Sequence, residues 1–180
     1  TRLKRNICDT AAEAAWLATY GACIGTDMEA MVRSDLVVLW GINAVHTNVH
    51  GMRFATAARR NGARLVAIDP YRNRTAKVAD THLMPRPGTD AALALGVAHV
   101  LIRDGLIDTE YLGRRTHGFD VYRAEAERFS PERASHITGI ACPTIVEFAR
   151  AYGLARAPFL RLGNGLQRHT NGGQTIRAIV

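Results

Sequence analysis

Cysteine is scarce and scattered in this sequence. Cys8, Cys23 and Cys142 are far apart, odd in number and without a C-x-x-C pair, which argues against a disulfide framework and against a self-contained zinc or iron–sulfur site. No apolar run approaches the roughly 20 residues needed to span a bilayer, and no signal-peptide pattern is visible. An aromatic–glycine RNA motif, zinc-finger spacing and a concentrated basic helix are all missing, which argues against nucleic acid as a partner. No internal repeat, low-complexity tract or linker divides the 180 residues, so a single domain is expected. The chain opens on Thr1 and not on methionine, and residues 175–180 form a helix-like pattern with no C-terminal cap. A fragment truncated at both ends is therefore expected. The compartment stays open, with the cytoplasm favoured over the periplasm.

What the sequence does have is core and positive charge. Hydrophobic residues make up 47%, ample for one core, and the formal charge of +7 comes mostly from arginine, which suits an anionic ligand or a negatively charged neighbouring surface. The organising stretch runs from Asp35 to Asn43. Its five consecutive apolar residues, Leu36 to Trp40, suit a strand buried on both faces in the middle of a parallel sheet. Gly41-Ile42-Asn43 reads as a tight turn, residues 48–61 as a helix closed by Gly62, and residues 65–68 as a second strand ending in Asp69-Pro70. This is one βαβ unit, in which ligands bind outside the carboxyl ends of the strands. There glycine lets the backbone approach a phosphate, and an acid such as Asp69 can bond a ribose hydroxyl.

The remaining segments follow the same α/β logic. Residues 11–20 form an alanine-rich helix, with Thr10-x-x-Glu13 spaced as a capping box. Cys8 then sits just before a helix N-terminus, where the positive end favours a thiolate as nucleophile or metal ligand; the alternative is a small buried hydrophobe. For Cys23 and Cys142 only the buried role is expected. His46 and His50 have the four-residue spacing of a shared metal but lack a glutamate in the H-E-x-x-H position. Residues 71–77 are polar and basic, fit either to contact phosphates or to be a solvated loop. Residues 80–84 read as a short third strand, stopped by residues 85–88. Thr89-Asp90 opens an apolar helix over residues 91–103, with Gly105 as its cap and Asp90 either a helix cap or a ligand-edge acid. Short helices with mixed charge over residues 108–139 carry no chemistry. Residues 143–152 form a helix ending at Gly153, and residues 159–162 a fourth strand that enters the Gly163-Asn164-Gly165 loop.

Four segments, in this order, resemble the molybdopterin oxidoreductase family, which includes dimethyl sulfoxide reductases, formate dehydrogenases and nitrate reductases. They are residues 34–43, residues 61–70, Pro87-Gly88-Thr89-Asp90 before an apolar helix, and Gly163-Asn164-Gly165 leading to Thr175-Ile176-Arg177. The resemblance implies one Rossmann-like domain over residues 1–180, with a parallel sheet flanked by helices, inside a larger multidomain subunit. This domain would hold the guanosine end of a molybdopterin guanine dinucleotide. Carried over, Gly41 and Asn43 resemble the loop at the phosphates. Asp69, with Pro70 and Arg72 beside it, resembles the ribose end, and Gly88, Thr89 and Asp90 the guanine end, where a carboxylate can accept both the ring N–H and the exocyclic amine. Gly163, Asn164, Gly165 and Arg168 resemble the loop toward the cofactor's inner part. Cys8 falls at the place of the protein ligand to molybdenum or tungsten and would be the catalytic residue.

The whole enzyme implied is a bis-molybdopterin guanine dinucleotide oxidoreductase that moves two electrons to or from a small substrate. A 4Fe-4S cluster would lie upstream, and an electron-transfer subunit is a possible partner beside the subunit's other domains. Asp9 stands where formate dehydrogenases carry histidine, so the resemblance points away from formate and toward reductase or oxidase activity on small inorganic or oxo substrates. Two rivals remain. One is a non-catalytic scaffold like the large subunits of respiratory NADH dehydrogenases. The other is a nicotinamide or flavin domain, disfavoured because Gly41-Ile42-Asn43 is not G-x-G-x-x-G.

Overall fold

The computed structural model describes residues 8–180; the basic segment of residues 1–7 lies outside them. Leu36–Trp40 form strand β1, and all five residues are buried. The remaining strands are β2 (Arg64–Ile68), β3 (Thr81–Leu83) and β4 (Pro158–Leu162). All pair in parallel in the order β3-β2-β1-β4, so β1 is interior, as its unbroken apolar run requires.

The helices are α1 (Thr10–Tyr20), α2 (Ala44–Thr47), α3 (Val49–Arg60), α4 (Arg74–Val78), α5 (Asp90–Arg103), α6 (Thr109–Arg115), α7 (Phe119–Glu127), α8 (Pro131–Thr138), α9 (Cys142–Leu154) and α10 (Gly172–Ile179). Alternation along β1 sends its side chains into two cores. Val37 and Leu39 pack with Ala55 and Ala58 of α3 on one face. Leu36, Val38 and Trp40 pack with Leu93, Val97, Ile145 and Ile176 of α5, α9 and α10 on the other. The chain leaving β1 therefore turns to one face and the chain leaving β4 to the opposite face, which makes the β1–β4 boundary the switch point of the sheet.

Several local expectations change. The Thr10-x-x-Glu13 box does not form: Asp9 is the N-cap residue of α1 and makes no side-chain cap bond. A first-turn donor of this helix is met instead by a distant residue, with the Ala12 N–H donating to Gln167 Oε1 at 2.7 Å. The single helix expected over residues 48–61 is preceded by the short α2. Asn48 separates the two, its side chain accepting the Gly51 N–H, and it leaves His46 and His50 on different helices. The basic stretch after Asp69 contains α4, capped by Asn73. Gly153 lies inside α9, where a Cβ would come within 2.6 Å of Leu101 and 2.8 Å of Leu106, so it permits helix packing and does not end the helix. Cys8 and Cys23 are exposed and Cys142 only partly buried, so the buried-hydrophobe role does not hold for the first two. No described helix is long and apolar enough to cross a membrane.

Candidate functional site

The carboxyl ends of all four strands meet at one edge, and most of the candidate residues lie there. Gly41 leaves β1 with φ +65°, and a Cβ on it would strike Leu166 at 2.7 Å. Gly163 leaves β4 so close to this turn that its own Cβ would lie 2.1 Å from the Gly41 carbonyl oxygen. Gly165 approaches the same oxygen, at 3.1 Å. These glycines thus have a steric reason that needs no ligand: the β1 and β4 exit loops pack backbone against backbone, and the Gly163 N–H donates to Trp40 O at 2.8 Å.

Between the two loops is a cavity of about 350 Å³ lined by Gly41, Ile42, Asn43, Thr47, Asn48 and residues 161–165. The N–H groups of Ile42 and Asn43 meet no backbone acceptor among the described residues. The Asn43 side chain is held from α4: Thr75, fully buried, donates through its hydroxyl to Asn43 Oδ1 at 3.2 Å and accepts the Val45 N–H at 3.0 Å.

Two acids occupy the other half of the edge. Asp69 accepts the Tyr71 N–H at 2.9 Å and the Asn73 amide at 3.0 Å, and its backbone oxygen meets His82 Nε2 at 2.8 Å. Burial pushes its carboxyl above the ordinary value of 3.8; the neighbouring charge of Asp90 adds to this, while Tyr71, His82 and Asn73 oppose it. Asp90 is not the cap of α5. It is the first helical residue, only 6% exposed, and Oδ1 accepts the Trp40 indole N–H at 2.7 Å. A charge-assisted bond of this kind contributes about 1.5–3 kcal/mol and fixes the carboxylate beside the end of β1. Thr89 holds the N-cap position but gives its hydroxyl to Arg86 O at 2.7 Å. Gly88, at φ +80°, faces the His169 ring. Pro70 and Arg72 are exposed.

Cys8 and Arg168 come together although 160 positions separate them: Arg168 Nη2 donates to Cys8 Sγ at 3.5 Å. The Gln167 bond to Ala12 pins the same loop to the start of α1. A larger cleft of about 970 Å³ runs from α1 along the outer edge of β4 and shares residues 161–164 with the smaller cavity; Asp9, next to Cys8, lines it. Among the described residues no three His, Cys, Asp or Glu side chains gather as a protein-only metal site.

Sequence reasoning missed Trp40, Asn73, Thr75, His82, Arg161 and Gln167. Only Arg161 had a signal, a charge inside an otherwise apolar strand; the others are revealed by tertiary contacts alone. Two buried donors in β4 and the loop that follows it, Arg161 Nε and Gln167 Nε2, have no partner among the described residues. This is the donor chemistry that an anionic, acceptor-rich group would satisfy.

A family model described as Molybdopterin oxidoreductase matches residues 4–180. The chain is 40% identical to "Probable oxidoreductase YoaE" of Bacillus subtilis (strain 168), over 99% of this chain and 26% of that protein. It is 32% identical to "Formate dehydrogenase H" of Escherichia coli (strain K12), over 81% of this chain and 20% of that protein. Among solved structures, "Acetylene Hydratase from Pelobacter acetylenicus" superposes with a TM-score of 0.85 at 26% identity, covering 93% of this chain and 23% of that one. The chain spans about a quarter of the length of these proteins.

Proposed function

The chain belongs to the molybdopterin oxidoreductase family, and we propose from that premise that it binds the guanosine end of a molybdopterin guanine dinucleotide within a longer two-electron redox enzyme. The family implies a pterin cofactor carrying molybdenum or tungsten; the guanine dinucleotide form is our reading. The observation that carries it is Asp90. A carboxylate held at the ligand edge at 6% exposure, with one oxygen fixed by Trp40, has its remaining acceptor capacity available for the paired N–H donors of guanine. Asp69, placed across the same edge by Tyr71 and Asn73, suits the ribose hydroxyls.

When bound, the cofactor supplies metal-centred two-electron redox chemistry. The protein's part is to hold and orient. Cys8 would provide the single protein thiolate to the metal, a soft donor suited to it. Arg168 Nη2 stands 3.5 Å from that sulfur and would fix its orientation. The β1 and β4 loops would enclose the phosphates and exclude water from the bonds they make. Further domains of the subunit would cover the exposed Cys8, and an electron-transfer subunit and an upstream 4Fe-4S cluster belong to the same reading. With a hydratase sharing the fold, redox turnover rests on the family and not on the architecture. Asp9 after Cys8 favours a small inorganic or oxo substrate over formate.

The test is Asp90→Asn in the full-length protein. Asparagine keeps an acceptor for the Trp40 indole but turns the other oxygen into a donor that opposes guanine, so the fold should persist while dinucleotide content falls at least about tenfold. A lowered melting temperature with unchanged cofactor content would make Asp90 a structural partner of Trp40 and nothing more.

A further inference from the structure

Arg161 is a charged residue to which the described residues offer no charged partner. In β4 it pairs in register with Leu39. Phe159, two residues earlier and so on the same face, is buried among Val37, Leu39, Ala55 and Ala58. The guanidinium is therefore carried at the carboxyl end of the sheet on the face that α3 covers. Its Nη1 donates to the adjacent Leu162 O at 2.9 Å. Its Nε is buried with no acceptor, and no carboxylate among the described residues forms an ion pair with it. A buried donor left unpaired is costly, and the cost is recovered only when an acceptor arrives.

The surroundings state what kind of acceptor fits. Among the described residues Arg161 is the only charged one lining the 350 Å³ cavity at the switch point, whose other walls are glycines, asparagines, Thr47 and two aliphatic residues. No acid lines it, and the N–H groups of Ile42 and Asn43 on the facing loop meet no backbone acceptor among the described residues. With Nη1 engaged by Leu162, the guanidinium edge left for a ligand is Nε with Nη2. That pair of parallel N–H groups matches two oxygens of one phosphate.

We propose that Arg161 is an anion anchor that grips a phosphate of the bound dinucleotide through its Nε–Nη2 edge. The ligand identity rests on the dinucleotide reading above; the anion chemistry rests on the arginine and its cavity. An arginine here would set the position of the pyrophosphate along the crevice, and with it the separation between the Asp90 end and the Cys8 end of the ligand.

The test uses the full-length protein produced without cofactor and titrated calorimetrically with inorganic pyrophosphate. The parent should bind saturably and more weakly as salt rises. Arg161→Gln should lose at least about tenfold in affinity, and Arg161→Lys, which keeps the charge without the fork, should fall between the two. Should Arg161→Gln fail to fold, the lysine variant carries the comparison. Equal affinities across the parent and the folded variants, or no pyrophosphate binding by the parent, would overturn the proposal. GDP and ADP titrated in parallel test the guanine reading separately. Arg161-dependent pyrophosphate binding with no preference for GDP would leave the anchor standing and sink the guanine assignment, whereas a GDP preference indifferent to Arg161 would do the reverse.

Discussion

Replacing Gly163 with alanine tests the claim that the two exit loops are built on each other. The added Cβ would sit 2.1 Å from the Gly41 oxygen and 2.6 Å from its carbonyl carbon, with Ile42 Cβ at 2.7 Å. Two of these obstacles are backbone and cannot rotate away. Ordinary contact begins near 3.4 Å, so the β4 exit must retreat by more than an ångström. That movement also stretches the 2.8 Å bond from the Gly163 N–H to Trp40 O. Overpacking costs about 1–3 kcal/mol and a weakened buried hydrogen bond about 1 more, so destabilisation of roughly 2–4 kcal/mol is expected. For a chain of this size that lowers Tm by about 4–16 °C. The assay is thermal unfolding of the 180-residue chain, with Gly25→Ala as control because nothing lies within 4 Å of a Cβ there. A Gly163→Ala variant that melts with the control would refute the backbone-on-backbone account.

Three further outcomes are expected. Trp40→Phe removes the indole donor from a carboxylate that is 6% exposed and should destabilise the chain by about 1–3 kcal/mol in denaturant unfolding; a neutral result would mean that Asp90 is satisfied otherwise. Because the folded Asp69 carboxyl is raised above 3.8, chiefly by burial, the native state holds its proton longer than the unfolded state. Its contribution to stability therefore falls as pH rises from about 4 through the folded value. Asp69→Asn should lack that loss, so parallel stability–pH curves for parent and variant would contradict the assignment. Cys8→Ser in the full-length enzyme should lower turnover by orders of magnitude while the guanine dinucleotide remains bound, with Cys23→Ser nearly silent; parental turnover in both would return Cys8 to a structural role.

The parallel sheet was legible because its signals are local. An unbroken apolar run at Leu36 to Trp40 can satisfy itself only inside a sheet covered on both faces, and the helix and strand that follow it are short-range consequences. The capping of α1 was not legible. Its Ala12 donor is met by Gln167, 155 positions away, a partner that no spacing rule could supply. Gly153 looked like a helix end but serves a close contact with Leu101 and Leu106, which depends on how α9 lies against α5. Asp90 has two readings in the sequence, and the cap is excluded because Thr89 takes the N-cap position while the Asp90 side chain bonds Trp40. In the sequence Gly41 and Gly163 signal space for a ligand, whereas each also makes room for the other loop; one glycine can serve both needs, and sequence does not separate them.

Nucleotide analysis of the full-length protein tests the central claim most directly. Acid hydrolysis of the purified holoprotein should release GMP in constant proportion to molybdenum or tungsten. A pterin and metal accompanied by no nucleotide, or AMP in place of GMP, would contradict the assignment of this domain to the guanosine end of the cofactor.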